Sequence, residues 1–212
     1  MRYAGLIIGA YLLGSIPFGL IIARAHGIDL RKIGSGNIGA TNLSRALGKK
    51  WAYLCFLLDV MKGLAPMLAA PSLTSSPPLV TELLLALVVG CAAVLGHVFP
   101  IYVKFKGGKG VATSFGVALG LWPYFTICAV IAFAVWVIFV LVWRYISLAS
   151  IIASVTFPLT LLLAIICIPD WNFANLWPLL IAATAIPLIV IIRHRENIKR
   201  IIAGTESKIF TK

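Results

Sequence analysis

Apolar runs of membrane length leave this chain few choices of fold. Ala4 to Ala23, Trp51 to Ala70, Pro77-Pro78 to about Ile101, Val111 to Val142, Ile146 to Ile168 and Phe173 to Ile192 are mostly apolar. A run of ~20 such residues crosses a bilayer as a helix. Within lipid the backbone must satisfy its own N–H and C=O groups, which a helix does inside one segment. Composition agrees. Of 212 residues 61% are hydrophobic and 11% charged, against about 25% charged in soluble domains. Mean hydropathy is +1.05. We therefore expect one all-α polytopic membrane domain over residues 1–212, with little room for a soluble one.

Val111 to Val142 would be about 48 Å long as one helix, well over the ~30 Å hydrocarbon core. Gly120-Leu121-Trp122-Pro123 offers the break. The first piece, Val111 to Leu121, is short enough to be a half-helix buried among others. Counting it, the chain makes seven crossings. Pro17, with Gly14 and Gly19, is placed to kink the first. Ala23-Arg24-Ala25 mimics a signal-cleavage site, but the apolar stretch is too long and most positive charge follows it. The first helix is therefore expected to be retained.

The charge of +12 invites a nucleic-acid partner. Its distribution argues for topology instead. Arg2 alone falls outside, Lys62 lies within the membrane, and the other sixteen of eighteen basic residues fall in loops on one side. That side is the cytoplasm by the positive-inside rule, so the N-terminus is outside and the C-terminus inside. The outer turns, 71–78 and Pro169-Asp170-Trp171-Asn172, carry no basic residue. Asp59 and Lys62, three apart inside a span, suggest an ion pair or a polar path. Cys55, Cys91, Cys128 and Cys167 are scattered in apolar segments without a C-x-x-C, so neither disulfides nor zinc are expected. No repeated half is visible, which weakens a two-fold transporter architecture.

Three polar stretches interrupt the apolar runs on the expected cytoplasmic side. The first is Gly34-Ser35-Gly36-Asn37-Ile38-Gly39-Ala40-Thr41-Asn42-Leu43-Ser44-Arg45. Its glycines free the backbone to curl N–H groups toward one spot. A helix starting near Asn37 would add its positive end and put Asn37, Thr41 and Arg45 on one face. The pattern matches G-x-G-x-x-G, but it follows a membrane segment rather than a strand, and Ala40 breaks a Walker A loop. A ligand-free glycine turn is the plainer alternative. The second stretch is Lys104-Phe105-Lys106-Gly107-Gly108-Lys109-Gly110, preceded by His97 and Pro100. It is a phosphate loop or only a topology signal. The third is Arg193-His194-Arg195-Glu196-Asn197. If helix ends bring these together, they form a basic, glycine-lined pocket for more than one phosphate. Carboxylates are scarce there, Asp29 and Glu196 being the nearby ones, so no metal is expected. His26, His97 and His194 show no Ser–His–Asp grouping. His194 is a candidate ligand contact because Asn197 follows at i+3.

These motifs carry a resemblance. Gly34-Ser35-Gly36-Asn37-x-Gly39-Ala40-Thr41-Asn42-x-x-Arg45, then Gly96-His97-x-x-Pro100 with Phe105-Lys106-Gly107-Gly108-Lys109-Gly110-Val111, then Arg193-His194-Arg195-Glu196-Asn197-Ile198, occur in order. The chain resembles the bacterial acyl-phosphate:glycerol-3-phosphate acyltransferases, the PlsY family, over essentially its whole length. The resemblance implies a seven-helix inner-membrane enzyme with its site facing the cytoplasm. It would move a fatty acyl group from acyl-phosphate to the 1-hydroxyl of glycerol 3-phosphate, without a cofactor. It implies that Ser35, Arg45, Lys104, His194 and Asn197 serve catalysis and that Glu196 is structural. Gly34, Gly36, Asn37, Thr41, Asn42, His97, Lys106, Gly107, Gly108, Lys109, Gly110, Ser147 and Arg193 would bind substrate phosphates. Implied partners are the two substrates, the bilayer and the enzyme that makes acyl-phosphate, with no nucleic acid and a monomeric chain. The competing classes are an organophosphate or anion transporter and a non-catalytic lipid-headgroup binder. A transporter would need polar access from the outer side, where positive charge is almost absent.

Overall fold

The computed structural model describes residues 2–70 and 79–209. The expected outer turn 71–78, with Pro77-Pro78, lies outside the described residues. Ten α-helices follow in chain order: α1 (Arg2–Gly14), α2 (Phe18–Ala25), α3 (Ala40–Leu47), α4 (Lys49–Ala69), α5 (Leu79–Val98), α6 (Val111–Leu119), α7 (Tyr124–Trp143), α8 (Ile146–Cys167), α9 (Phe173–Arg193) and α10 (Arg195–Ile202). Short 3-10 turns sit at Leu30–Lys32 and Ile101–Val103. The chain divides into two compact units. One is residues 1–77 with 85–120, and the other is 78–84 with 121–212.

Among the described residues six segments are long and apolar enough to cross a membrane: Tyr3–Ala25, Lys49–Ala69, Leu79–Val103, Tyr124–Trp143, Ile146–Cys167 and Phe173–Arg193. Their outward faces carry exposed Leu57, Leu68, Val130, Leu141, Leu163, Ile166 and Leu188. In water such a surface would aggregate, whereas lipid solvates it. The short piece expected at Val111 to Leu121 is α6. α6 has nine residues, about 14 Å.

α6 lies along the second half of α4. A Cβ at Gly63 would overlap the Thr113 carbonyl, one at Gly116 the Val60 carbonyl, and one at Gly120 the Met67 side chain. These small residues let the two backbones touch, which is how helices gain dispersion energy where lipid offers no hydrophobic drive. Gly116→Ala is expected to destabilise the protein by about 1–3 kcal/mol through overpacking. This outweighs alanine's better helix propensity. A lowered unfolding midpoint of the purified variant would show it.

The first crossing is two helices. Pro17 has no N–H to donate, and α1 stops at Gly14, where Ser15 turns its N–H and Oγ to the Tyr11 carbonyl at 2.9 and 2.8 Å. The break leaves the Ile16 carbonyl outside a helix ladder. The Lys62 ammonium takes it at 2.9 Å, and the same nitrogen lies 2.7 Å from Asp59 Oδ1. The intramembrane charges expected from sequence are thus an ion pair, both members buried.

In the second unit α7 packs on α8 and α8 on α9. Polar side chains of α8 stay within the helix: Ser150, Ser154, Thr156 and Thr160 each donate to the carbonyl four residues back, at 2.7–3.0 Å. That satisfies the hydroxyls in an apolar phase. Trp136 Nε1 adds a bond to Ser150 Oγ at 3.2 Å.

Candidate active site

The first glycine stretch forms a loop before α3 rather than the start of it. The helix begins at Ala40, not near Asn37, because Gly39 is the N-cap and Asn37 Oδ1 turns back to accept from the Gly39 N–H at 2.9 Å. Asn37 therefore leaves the proposed helical face, while Thr41 and Arg45 keep it, one turn apart. Gly34 and Gly36 have φ of +53° and +67°, a region where a side chain is strained. Asn42, expected to touch phosphate, is instead buried at 1% exposure. Its Nδ2 donates to the Leu30 and Ile33 carbonyls at 3.1 and 2.9 Å, and its Oδ1 accepts from the Ser35 N–H at 3.1 Å. Asn42 is the clamp that shapes the loop, and its polar atoms are spent on backbone. Ser35 is left exposed at the turn, and Arg45 is exposed on α3. The Arg45 stem passes Gly34, since a Cβ there would lie 3.7 Å from Arg45 Cδ. Asp29 is engaged by Arg31, which bonds it through Nε and Nη2 at 2.9 and 3.1 Å. That hydrogen bond holds the Asp29 carboxyl below the usual carboxylate range.

The second stretch is folded back on the end of α5. The Phe105 N–H donates to the Pro100 carbonyl at 2.9 Å, and Gly108 N–H to the His97 carbonyl at 3.1 Å. Lys104 and Phe105 are consecutive left-handed residues, φ 56° and 60°. Two non-glycine residues in this region cost about 1–2 kcal/mol each, and such strain clusters at functional sites. Gly107, Gly108 and Gly110 are buried, while Lys104 and Lys106 are exposed.

Both stretches stand on one core. Leu20, Ile22, Ala23, Leu30, Ile38, Leu43 and Cys55 form a buried cluster on which Val103 also packs. Ile38 and Leu43 flank the first loop's exit, and Val103 precedes Lys104. Within this unit, Arg45, Lys104 and Lys106 have no ion-pair partner among the described residues. Three uncompensated cations beside curled glycine backbone suit a phosphate-bearing ligand.

The third stretch belongs to the second unit. His194 caps α9 and is buried, its Nδ1 at 2.7 Å from the Val190 carbonyl. A carbonyl only accepts, so Nδ1 carries a proton. Asn197 and Ser147 are also buried. Glu196, expected to be structural, is on the surface beside Lys199 and Arg195, at 3.3 and 3.6 Å. Exposed pairs of this kind contribute little.

Comparison with known proteins identifies the fold's function. The family model described as glycerol-3-phosphate acyltransferase matches residues 4–204. The chain belongs to the glycerol-3-phosphate acyltransferase family. It is 48% identical to the glycerol-3-phosphate acyltransferase of Trichlorobacter lovleyi over 95% of each chain. It is 43% identical to that of Aquifex aeolicus over 98% of this chain and all of the other. Two crystal structures of PlsY (YgiH), an integral membrane glycerol 3-phosphate acyltransferase, superpose on it. The glycerol 3-phosphate form gives a TM-score of 0.84 at 43% identity, covering 99% of this chain and 96% of that one. The lysophosphatidic acid form gives 0.80 at 42%, covering 98% and 95%.

One residue of this acyltransferase family member escaped the sequence reading. Glu206 is 8% exposed. Its Oε1 accepts from Ser147 Oγ at 2.7 Å and Asn197 Nδ2 at 2.6 Å, and its Oε2 from Arg200 Nε at 2.7 Å. Burial pushes its carboxyl upward, but the bonds from Asn197, Ser147 and Arg200 outweigh it and hold the group below the usual glutamate range. The segment then runs back to the α7–α8 junction, where the Ile209 N–H bonds the Arg144 carbonyl at 2.8 Å and Lys208 lies over the Tyr145 ring. The only sequence signal was a lone acidic residue in a basic tail.

Proposed function

We propose that this acyltransferase uses acyl-phosphate as its donor and the 1-hydroxyl of glycerol 3-phosphate as its acceptor, releasing lysophosphatidic acid and inorganic phosphate. The observation that carries this reading is the placing of two curled glycine loops on one core with Arg45, Lys104 and Lys106, which have no ion-pair partner among the described residues. The related enzyme is known in a glycerol 3-phosphate form and a lysophosphatidic acid form. Acyl-phosphate is a mixed anhydride and already activated. The protein must mainly orient it and stabilise the charge that develops on the carbonyl and the leaving phosphate.

The acceptor oxygen bonds to the acyl carbon, the bond from that carbon to the bridging oxygen breaks so that the oxygen leaves with the phosphate, and the hydroxyl proton passes to a substrate phosphate oxygen. Arg45 and the Ser35 turn hold the transferred group, and Lys104 with the 104–110 glycines receives glycerol 3-phosphate. His194 and Asn197 serve the same turnover. The chain crosses the membrane seven times, N-terminus outside, α6 being the fourth crossing and the 104–110 loop lying on the cytoplasmic side before it. The site opens to the cytoplasm of a bacterial inner membrane. At ~0.8 kcal/mol per buried CH₂ the acyl tail keeps the donor in the bilayer, while the acceptor arrives from water. The donor is supplied by an enzyme that forms acyl-phosphate.

Purified protein in lipid, given palmitoyl-phosphate and glycerol 3-phosphate, is expected to release phosphate only when both are present. Palmitoyl-CoA is expected to be silent, and Ser35→Ala inactive. Turnover with the CoA donor would overturn the donor assignment. Trapping of labelled palmitoyl on Ser35 would replace direct transfer by an acyl-enzyme.

A further inference from the structure

Asp59 and Lys62 form a buried ion pair inside the first unit that the proposed chemistry does not use, and His97, which the resemblance placed among the phosphate-binding residues, stands against it. Asp59 and Lys62 lie on α4, and His97 at the end of α5; all three are buried. Asp59 Oδ1 is 2.7 Å from Lys62 Nζ and 3.6 Å from His97 Nδ1. Cys55 Sγ faces Asp59 Oδ2 at 3.7 Å. Burying charges in an apolar phase is expensive, and an ion pair of this kind is weak evidence for stability alone. The Lys62 end is anchored by the Ile16 carbonyl where the first crossing breaks.

The other edge of the imidazole faces the glycine loop. A Cβ on Gly108 would overlap His97 Nε2 and its neighbouring ring carbons, and one on Gly107 would overlap the His97 and Val98 carbonyls. The Gly108 N–H bonds the His97 carbonyl at 3.1 Å. His97 is thus the floor on which Gly107 and Gly108 rest, and Asp59 stands behind it. A carboxylate facing Nδ1 favours the tautomer protonated there and fixes the ring's plane.

We propose that Asp59 is a positioning residue: through His97 it sets the shape of the 104–110 loop, with Lys62 balancing its charge. The kinetic consequence rests on the reading that this loop receives glycerol 3-phosphate. A ring free to turn would let Gly107 and Gly108 drift, and misplacement of about 1 Å in a positioning element costs up to ~100-fold.

Asp59→Leu combined with Lys62→Met removes the carboxylate without stranding the ammonium. In this variant KM for glycerol 3-phosphate is expected to rise ~10-fold, with KM for palmitoyl-phosphate within about twofold of the parent. Amides 104–110 should exchange with deuterium faster while α4 and α5 stay protected. If the double variant does not fold, Asp59→Glu, which keeps the charge and moves the carboxylate by one methylene, is read in the same two ways. Unchanged loop exchange and unchanged KM in a folded variant overturn the proposal. A uniform loss of protection across α4 and α5 also overturns it, since the array would then only hold helices together. Absence of glycerol 3-phosphate-dependent turnover in the parent would overturn the functional reading instead, and loop exchange would still decide the array.

Discussion

Arg45→Ala is expected to lower glycerol 3-phosphate-dependent phosphate release by about 10³-fold while leaving the unfolding midpoint within a degree or two. The size follows from removing a fixed donor aimed at developing charge, worth about 10²–10³ in rate, together with loss of a planar, two-pronged phosphate contact. The fold should tolerate it because Arg45 is exposed and has no ion-pair partner among the described residues, so no buried group is stranded. Arg45→Lys separates charge from geometry. Lysine keeps the charge as a point and loses the fork, so a recovery of no more than about tenfold is expected. Full activity in Arg45→Lys would mean that this position needs only a positive charge. Undiminished activity in Arg45→Ala would remove α3 from the chemistry.

Glu206→Ala is expected to be the most damaging single change for stability, by about 3–5 kcal/mol. It strands Ser147 Oγ, Asn197 Nδ2 and Arg200 Nε, whose partner oxygens lie at 2.6–2.7 Å. A buried donor left unsatisfied costs about 1–3 kcal/mol. Glu206→Gln keeps an accepting oxygen and loses only the charge, so it should fall between. The pH dependence has a definite sign. The folded carboxyl titrates below its unfolded value, which is near 4.3. The stabilisation is full above that value and is lost as pH falls through the lower folded one. Unfolding midpoints followed from pH 7 to 3 should therefore show the gap between parent and Glu206→Gln closing in acid. A constant gap would assign the effect to shape rather than charge. Activity should fall in step, since Ser147 and Asn197 lose the group that orients them.

The two predictions differ in how visible their residues were. Arg45 sits in a glycine motif that any reading of the chain singles out. Glu206 sits alone in the tail, two residues beyond the stretch matched by the family model. Nothing local distinguishes it from an exposed acid. Glu196, inside the motif, drew its structural role from the resemblance alone. In the fold it points to the surface, since α10 carries its buried face through Asn197. A helix of eight residues has only one inward stripe, and motif membership does not say which residue occupies it.

What the sequence determined by itself was the secondary structure and the choice of solvent. Lengths of apolar sequence set the six long spans, prolines and glycines set the breaks at Pro17 and at Gly120–Pro123, and the basic residues marked the loops. These are local properties, decided by hydropathy over ~20 residues and by backbone sterics at single positions. The tertiary structure decided who touches whom. It bent Asn37 Oδ1 back to the Gly39 N–H and made Asn42 the clamp of a loop. It laid α6 against α4 at Gly63 and Gly116, joined Asp59 and Lys62 to His97, and gave Glu206 its three donors. Apart from the Asn37–Gly39 bond, two positions apart, these depend on contacts between residues 6 to 59 positions apart. Only packing brings such groups together, and hydrogen bonds of buried atoms must be made by whichever group the fold delivers.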